Sequence, residues 1–490
     1  MKEVEKYFKK FRDNIIGQKV KFETPFGTKE MLYADWIASG RLYGPIEDKL
    51  RNEFGPMVGN THSEASETGT VMTHSYHLAH KIIKKHCNAD ENDILLTTGF
   101  GMTGAVSKLQ RILGLRIPER AKKMCSGIDE NERPVVFLTH MEHHSNHTSW
   151  LENEVDVIII EPDDNLLVNP ENLRIEIEKY KDRIFKIGSF SACSNVTGII
   201  PPYYKLARIM HEYGGYCFID FAASAPYLEI NMHPEDPLER LDAIYFSPHK
   251  FLGGPGSSGV LIFNRELYKN VVPDQPGGGT VKWTNMWGKF AYLDDIEQKE
   301  DGGTPGFLQA IKTALCIKLK EEMLVDNIKK REKELLKLVF NGLKEIPGLH
   351  ILADNVEDRL GIISFYVDNI HFNLIVKLLN DRFGIQTRGG CSCAGTYGHF
   401  LLHVDKKTSK KITDKIDHGD LSNKPGWVRI SIHPVTLNSE IHLIISAIKE
   451  IVKNIDEYSK DYLYSIETNE FNHKNFVVED FEKYIPSFEV

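Results

Sequence analysis

Groups of chemically capable residues follow short apolar runs in this 490-residue chain. His140-Met141-Glu142-His143-His144-Ser145-Asn146-His147 comes after PVVFLT, and Cys193-Ser194-Asn195-Val196-Thr197-Gly198 comes after FKIGSFS. Asp220 closes GYCFID, and Ser247-Pro248-His249-Lys250 follows DAIY and Phe246. An isolated lysine beyond a strand is usually a solvated surface group. Lys250, however, lies between an apolar strand and the glycine-rich run FLGGPGSSG. Burial there would disfavour the ammonium form and leave an amine able to condense with a carbonyl. A further group, Thr97 to Ala105 (TTGFGMTGA), combines glycines with the start of a helical pattern. Glycines let a backbone approach a ligand, and the unpaired N–H groups of a helix N-terminus suit a phosphate.

Positioning these groups requires a sheet. Apolar runs at 93–98, 134–139, 156–160, 185–191, 215–220, 242–247 and 259–263 alternate with helical patterns. Such alternation implies crossover units and a mainly parallel sheet. Ligands of such sheets sit beyond the carboxyl ends of the strands, where all these groups fall. The fold class expected is therefore α/β, with a smaller α+β domain after it. A helical pattern runs from Leu308 to Lys344 and stops at Ile346-Pro347-Gly348. A strand (361–367), a helix (371–382) and a strand pair near 385 and 428 follow. Residues 1–17 predict an amphipathic helix through Val4, Tyr7, Phe8, Phe11 and Ile15. The organisation expected is an N-terminal arm (1–30), a large domain (31–305), a small domain (306–465) and a C-terminal tail (466–490). Residues 116–133 and the lysine-rich 403–424 read as surface insertions.

In their order and spacing these residues resemble the class V aminotransferase-fold family, in particular its cysteine desulfurase and selenocysteine lyase branch. Ser247-Pro248-His249-Lys250 is similar to the family's S-x-H-K, Glu142-His143-His144-Ser145-Asn146 to E-H-H-x-N, and Ser194 to Gly198 to S-N-x-x-G. Arg388-Gly389-Gly390-Cys391-Ser392-Cys393-Ala394 resembles R-x-G-x-x-C-A, and Gly277-Gly278-Gly279-Thr280 and Gly303-Thr304-Pro305 match two further landmarks. The match extends from about Tyr33 to about Ile451. The resemblance implies an aspartate aminotransferase-like (fold type I) enzyme that uses pyridoxal 5'-phosphate. Lys250 would hold the cofactor as a Schiff base and later move the substrate's α-proton. Asp220 would pair with the pyridine nitrogen, keeping the ring an electron acceptor, and His143 would stack on the ring and act as acid or base. Asn195 would bond near the ring's phenolate oxygen and the substrate carboxylate. Ser247, His249, Gly101 and Met102 would hold the phosphate, the last two through backbone N–H. Thr280 would reach the phosphate of a neighbouring subunit, implying a homodimer. Arg429 would grip the substrate α-carboxylate with its planar fork. Cys393 would attack the sulfur of L-cysteine, leaving a persulfide for a sulfur-acceptor protein and releasing alanine. In a regular strand residues two apart share a face, so Cys391 is placed as a second thiol on the same side.

The sequence departs from the family pattern in two places. The usual D-x-A-Q reads Asp220-Phe221-Ala222-Ala223, with an alanine where the glutamine stands, and the phosphate loop reads Gly99-Phe100-Gly101-Met102. Alternatives on the same fold are selenocysteine lyase and C–S (β-elimination) lyase. A metal-dependent hydrolase is the alternative from another class: His140/His144 and His143/His147 are each four apart, a metal-ligand spacing if the segment is helical, and Cys391, Cys393 and His399 offer a second set. That reading leaves Lys250 and Asp220 without a purpose, and the same two residues argue against a non-catalytic scaffold. A net charge of −9 gives no global attraction to nucleic acid or anionic membrane. No apolar stretch reaches the ~20 residues of a bilayer span, and the charged N-terminus has no signal core. Seven cysteines, an odd number in a long chain, point to reduced thiols and a cytoplasmic setting.

Overall fold

The computed structural model describes residues 3–61, 63–124, 132–476 and 485–489. Its centre is a seven-stranded sheet: β1 (Asp93–Thr98), β2 (Val135–Thr139), β3 (Asp156–Ile160), β4 (Lys186–Ser191), β5 (Tyr216–Asp220), β6 (Ala243–Phe246) and β7 (Gly259–Asn264). The spatial order is β1-β7-β6-β5-β4-β2-β3. Strands β2 to β6 pair in parallel, and β7 runs antiparallel to both of its neighbours. Successive side chains of a strand point to opposite faces. Phe137, Ile219, Ile244 and Ile262 accordingly enter one core, while Val136, Leu138, Phe218 and Leu261 enter the core on the other face. Burial on both faces explains why the central runs, such as 135–138 and 260–263, are apolar rather than alternating. The predicted strands each agree with an observed one to within a residue at either end.

The N-terminal helix α1 (Glu3–Arg12) buries Val4, Phe8 and Phe11. Arg12 donates two hydrogen bonds to the Glu440 carboxylate, at 2.6 and 2.9 Å. Helix α2 (Met102–Ile112) follows β1, and α3 (His144–Leu151) follows β2. The long helix expected from Leu308 is two helices, α4 (Phe307–Met323) and α5 (Val325–Lys344). Leu324 between them has φ +60°, a left-handed conformation that ends the first helix. No proline or glycine marks the break, so periodicity passed over it.

The second sheet is antiparallel, with order β8 (Leu349–Ile351), β9 (Ile362–Val367), β11 (Trp427–Ser431), β10 (Arg388–Gly390). Helix α6 (Phe372–Phe383) ends at Gly384 in the left-handed region and packs on it. Helices α7 (Gly395–Leu401) and α8 (Lys406–Asp417) come after β10. The lysine-rich segment, expected as a surface insertion, contains a helix with no fully buried residue. His399 pins it to α7 by a 2.8 Å hydrogen bond with Ser409 Oγ. Helix α9 (Asn438–Lys453) completes the layer. A hairpin, β12 (Tyr462–Ser465) with β13 (Glu470–His473), joins the end of the small domain to the tail. The central part of the 116–133 segment, and most of the tail beyond 476, lie outside the described residues. Among those described, no helix is long and apolar enough to cross a membrane.

Candidate active site

A cavity of about 220 Å³ lies where the carboxyl ends of the parallel strands meet the small domain. The large domain supplies Met102, His143, Ser191, Cys193, Asn195, Asp220, Ala222, Ala223, Ser247, His249 and Lys250 to its lining; the small domain supplies Arg388, Ser392, Cys393 and Arg429. Residues spread over some 330 positions of sequence are brought together, most of those from the large domain because they sit at the end of a strand or in the turn just after one, while Arg429 projects from the middle of β11.

On the sheet side, Asp220 is the last residue of β5 and accepts a hydrogen bond from Ala222 N at 2.8 Å. Burial pushes its carboxyl up, and the charge of Lys250 opposes that rise. Lys250 lies on a short 3-10 turn after β6 and lines the cavity. Burial brings its amine below the usual lysine range, with Asp220 the chief opposing influence. His143 caps α3, its Nδ1 accepting from Ser145 N at 3.1 Å. Burial and nearby cations lower its pKa to about 3, so the ring is neutral, with its proton on Nε2. Burial likewise takes His249 down to about 4.

A network unassigned in the sequence reading holds this wall. The buried Glu142 carboxylate accepts from Thr139 Oγ1 (2.6 Å), Ser191 Oγ (2.7 Å), Asn146 Nδ2 (2.7 Å) and Ser191 N (3.1 Å). Asn146 Oδ1 in turn accepts from Tyr245 OH (2.7 Å) and Ser189 Oγ (2.7 Å). The E-H-H-x-N motif therefore ties three strands together through its first and last residues and leaves His143 facing the cavity. Glu142 is buried, and burial requires such a group to be fully bonded, which nothing in the histidine-rich run around it announced.

On the small-domain side, strand β10 ends at Gly390, so the expectation of two thiols sharing one strand face does not hold. Cys391 to Ala394 form a turn closed by Ala394 N donating to Cys391 O at 3.0 Å. Its central residues, Ser392 (φ +52°) and Cys393 (φ +57°), are both left-handed. Side-chain-bearing residues pay about 1–2 kcal/mol each for that conformation, which persists only where surroundings enforce it. They do so here: Asn195 Nδ2 donates to Ser392 O (2.7 Å), Trp427 Nε1 to Ser392 Oγ (3.2 Å), His144 N to Cys393 O (2.8 Å) and Gly395 N to His144 Nε2 (2.9 Å). Cys393 borders the cavity, whereas Cys391 is turned toward the apolar core.

Of the residues expected at the phosphate, Ser247, His249 and Met102 are together. Met102 N, at the N-terminus of α2, donates to Ser247 Oγ at 2.8 Å. A side chain at Gly101 (φ +84°) would come within 2.7 Å of Ser247 Oγ and 2.8 Å of His249, so the loop needs glycine there. Thr280 stands apart from the cavity. It is buried, and its hydroxyl bonds the Gly277 carbonyl at 2.6 Å. Ala222 and Ala223 line the cavity and have no polar side-chain group to offer it.

The histidine pairs do not form a metal site. Helix α3 begins at His144, so His140 and His144 do not share a helix, and each ring has its own bond: His140 to Leu166 O, His144 to Gly395 N, His147 to Thr396 Oγ1. Among the described residues the grouping of metal-type ligands is elsewhere, at Asp90, Asp93 and His233, where His233 and Asp93 already bond each other at 2.6 Å.

The donor set fits pyridoxal phosphate. An amine and a carboxylate meet in the cavity beside a flat neutral imidazole, a glycine cradle opens a helix N-terminus beside a serine and a histidine, and the buried Asn195 Oδ1 has no partner. Comparison with known proteins agrees. A family model described as Aminotransferase class-V matches residues 32–444. A probable cysteine desulfurase of Pyrococcus abyssi is 25% identical over 445 residues, which is 90% of this chain and 98% of that protein. One from Staphylococcus epidermidis is 27% identical over 385 residues, 78% of this chain and 86% of that one. Among solved structures, an apo cysteine desulfurase from Thermococcus onnurineus superposes with a TM-score of 0.71 at 23% identity, covering 91% of this chain and 98% of that one. A cysteine desulfurase from Escherichia coli gives 0.66 at 20%, covering 86% and 94%. These structures share the fold.

Proposed function

This chain belongs to the class-V aminotransferase family, and from that premise we propose that it is a pyridoxal-phosphate-dependent cysteine desulfurase. It takes the sulfur of L-cysteine onto Cys393 and releases L-alanine. The observation that carries this reading is that Cys393 and Lys250, from different domains, border one cavity.

Bound pyridoxal phosphate would supply a ring that withdraws electrons from the substrate's Cα. Lys250 would hold the cofactor covalently, and its amine would move the proton at the substrate's Cα. Its lowered pKa leaves part of the amine neutral near neutral pH, as proton acceptance requires. Asp220 would pair with the ring nitrogen, and His143, uncharged, would lie against the ring. Ser247, His249 and the glycine cradle at Gly101–Met102 would hold the phosphate. Arg429 and Asn195 orient the substrate carboxylate. The Cys393 thiolate then attacks the substrate sulfur. An S–S bond forms as the Cβ–S bond breaks, its electron pair stays with the substrate carbon, and a proton added there gives alanine. Cysteine plus a protein thiol thus becomes alanine plus a persulfide, with no outside oxidant. A thiol-bearing acceptor, such as a sulfur-acceptor protein, would discharge the persulfide.

The working unit in this reading is a homodimer. The turn Gly277–Gly279 is exposed, and beside it a hairpin (Val281–Thr284 with Phe290–Tyr292) displays Trp283, Met286, Trp287 and Phe290 to solvent. Apolar groups so placed suit a second copy, whose phosphate Thr280 would approach. Light scattering of the holoenzyme tests the assembly.

Purified holoenzyme incubated with L-cysteine tests the activity. Alanine should form, with Cys393 heavier by one sulfur in mass spectra. Pyruvate and free sulfide as the main products, without the adduct, would assign a C–S lyase instead.

A further inference from the structure

Arg429 lies in the middle of β11, buried and with its hydrogen-bonding capacity only partly used. Nη1 donates to Asn195 O at 3.1 Å and Nη2 to Asp35 Oδ1 at 2.9 Å, while the buried Nε has no partner. Its directly opposed residue across the strand pair is Arg388, a like charge. Asp35 is the carboxylate that offsets this, yet it does not border the cavity; Arg429 does. Asp35 is itself fixed. It bridges in parallel with Ser431, Ile37 N donates to Ser431 Oγ at 2.9 Å, and Tyr33 OH donates to Asp35 O at 3.1 Å. The same segment reaches the lysine turn, where Gly40 N donates to His249 O at 2.9 Å.

We propose that Asp35 is a positioning residue for the substrate α-carboxylate. By holding Nη2 from behind, it fixes the plane of the Arg429 guanidinium and determines which N–H groups remain for the ligand. A guanidinium tethered at one edge loses less rotational freedom on taking a carboxylate at another, so the tether favours binding rather than the bond-making step. The inference rests on Arg429 as the carboxylate grip.

The test is a double-mutant cycle on holoenzyme, reading KM for L-cysteine and kcat. Asp35→Ala should raise KM about tenfold, the worth of one charge-assisted hydrogen bond, and leave kcat nearly unchanged. Asp35→Asn keeps an acceptor oxygen and should recover most of the loss. In an Arg429→Ala background, Asp35→Ala should raise KM no further. Equal effects in both backgrounds, or a fall in kcat alone, would overturn the role of Asp35. An unchanged KM in Arg429→Ala alone would instead overturn the reading of Arg429, and the role built on it. Should Asp35→Ala fail to fold, Asp35→Glu keeps the ion pair but displaces the guanidinium. It should raise KM several-fold, and an unaltered KM there also counts against the proposal.

Discussion

The two walls of the cavity are built differently. On the sheet wall, Asp220, His143 and Lys250 stand at strand ends, backed by Glu142 and Asn146, whose hydrogen bonds are internal to the large domain. On the facing wall, Cys393 stands on two consecutive left-handed residues, and three of the bonds that restrain the turn come from Asn195 and His144 in the large domain. In the proposed reaction, cofactor chemistry would be fixed within one domain, whereas sulfur chemistry would depend on how the second domain meets it. Changes on the first wall should abolish everything, and changes on the second should remove turnover while sparing the cofactor.

The largest effect is expected for Lys250→Ala. It should lose the visible absorbance band of the lysine-bound cofactor and lower alanine formation by about a thousandfold or more, since both nucleophile and proton carrier are gone. A colourless wild-type protein that stays colourless with added pyridoxal phosphate would break the first wall's assignment outright. Next is Cys393→Ser, which should keep the band yet lose nearly all alanine production. Cys391→Ser, its thiol turned to the core, should lose much less. Alanine and pyruvate yields with mass spectra decide this, and a sulfur adduct on Cys391 would invert the two roles.

A smaller effect is expected at the clasp between the walls. His144→Ala removes the acceptor for Gly395 N and should lower alanine formation about tenfold, one hydrogen bond's worth, with the absorbance band unchanged. Loss of the band as well would show that the walls are not separable. The smallest effect concerns the support of the second wall. Glu332 on α5 is buried, and its main opposing influence is a 3.0 Å bond from Gly361 N just before β9. Burial raises its carboxyl to about 8. With an unfolded value of ~4.3, the folded chain holds a proton that the unfolded chain releases between these limits. That stability is complete below ~4.3 and is lost as pH rises to about 8. Glu332→Gln should flatten this fall and make the protein more stable than wild type at pH 8, by about 1–3 kcal/mol. Thermal melts from pH 5 to 8.5 check it, and parallel curves would refute it.

The amino-acid sequence determined the central sheet and its functional edge by itself. Runs such as 135–138 and 260–263 are apolar through their whole length because both faces are buried, and the polar groups that follow strands fall at their ends by the geometry of a parallel sheet. Lys250, Asp220, His143 and Asn195 were legible for that reason. What the tertiary structure decided depends on contacts between distant segments. Leu324 breaks a helix without glycine or proline. The turn at Ser392-Cys393 replaces a strand because Asn195, Trp427 and His144, 35 to some 250 residues away in the chain, enforce a backbone those residues would not choose alone. Asp35 reaches Arg429 across 394 positions. Periodicity and local propensity report only on near neighbours, so a left-handed thiol turn and a buried ion pair become visible only when the domains are in place.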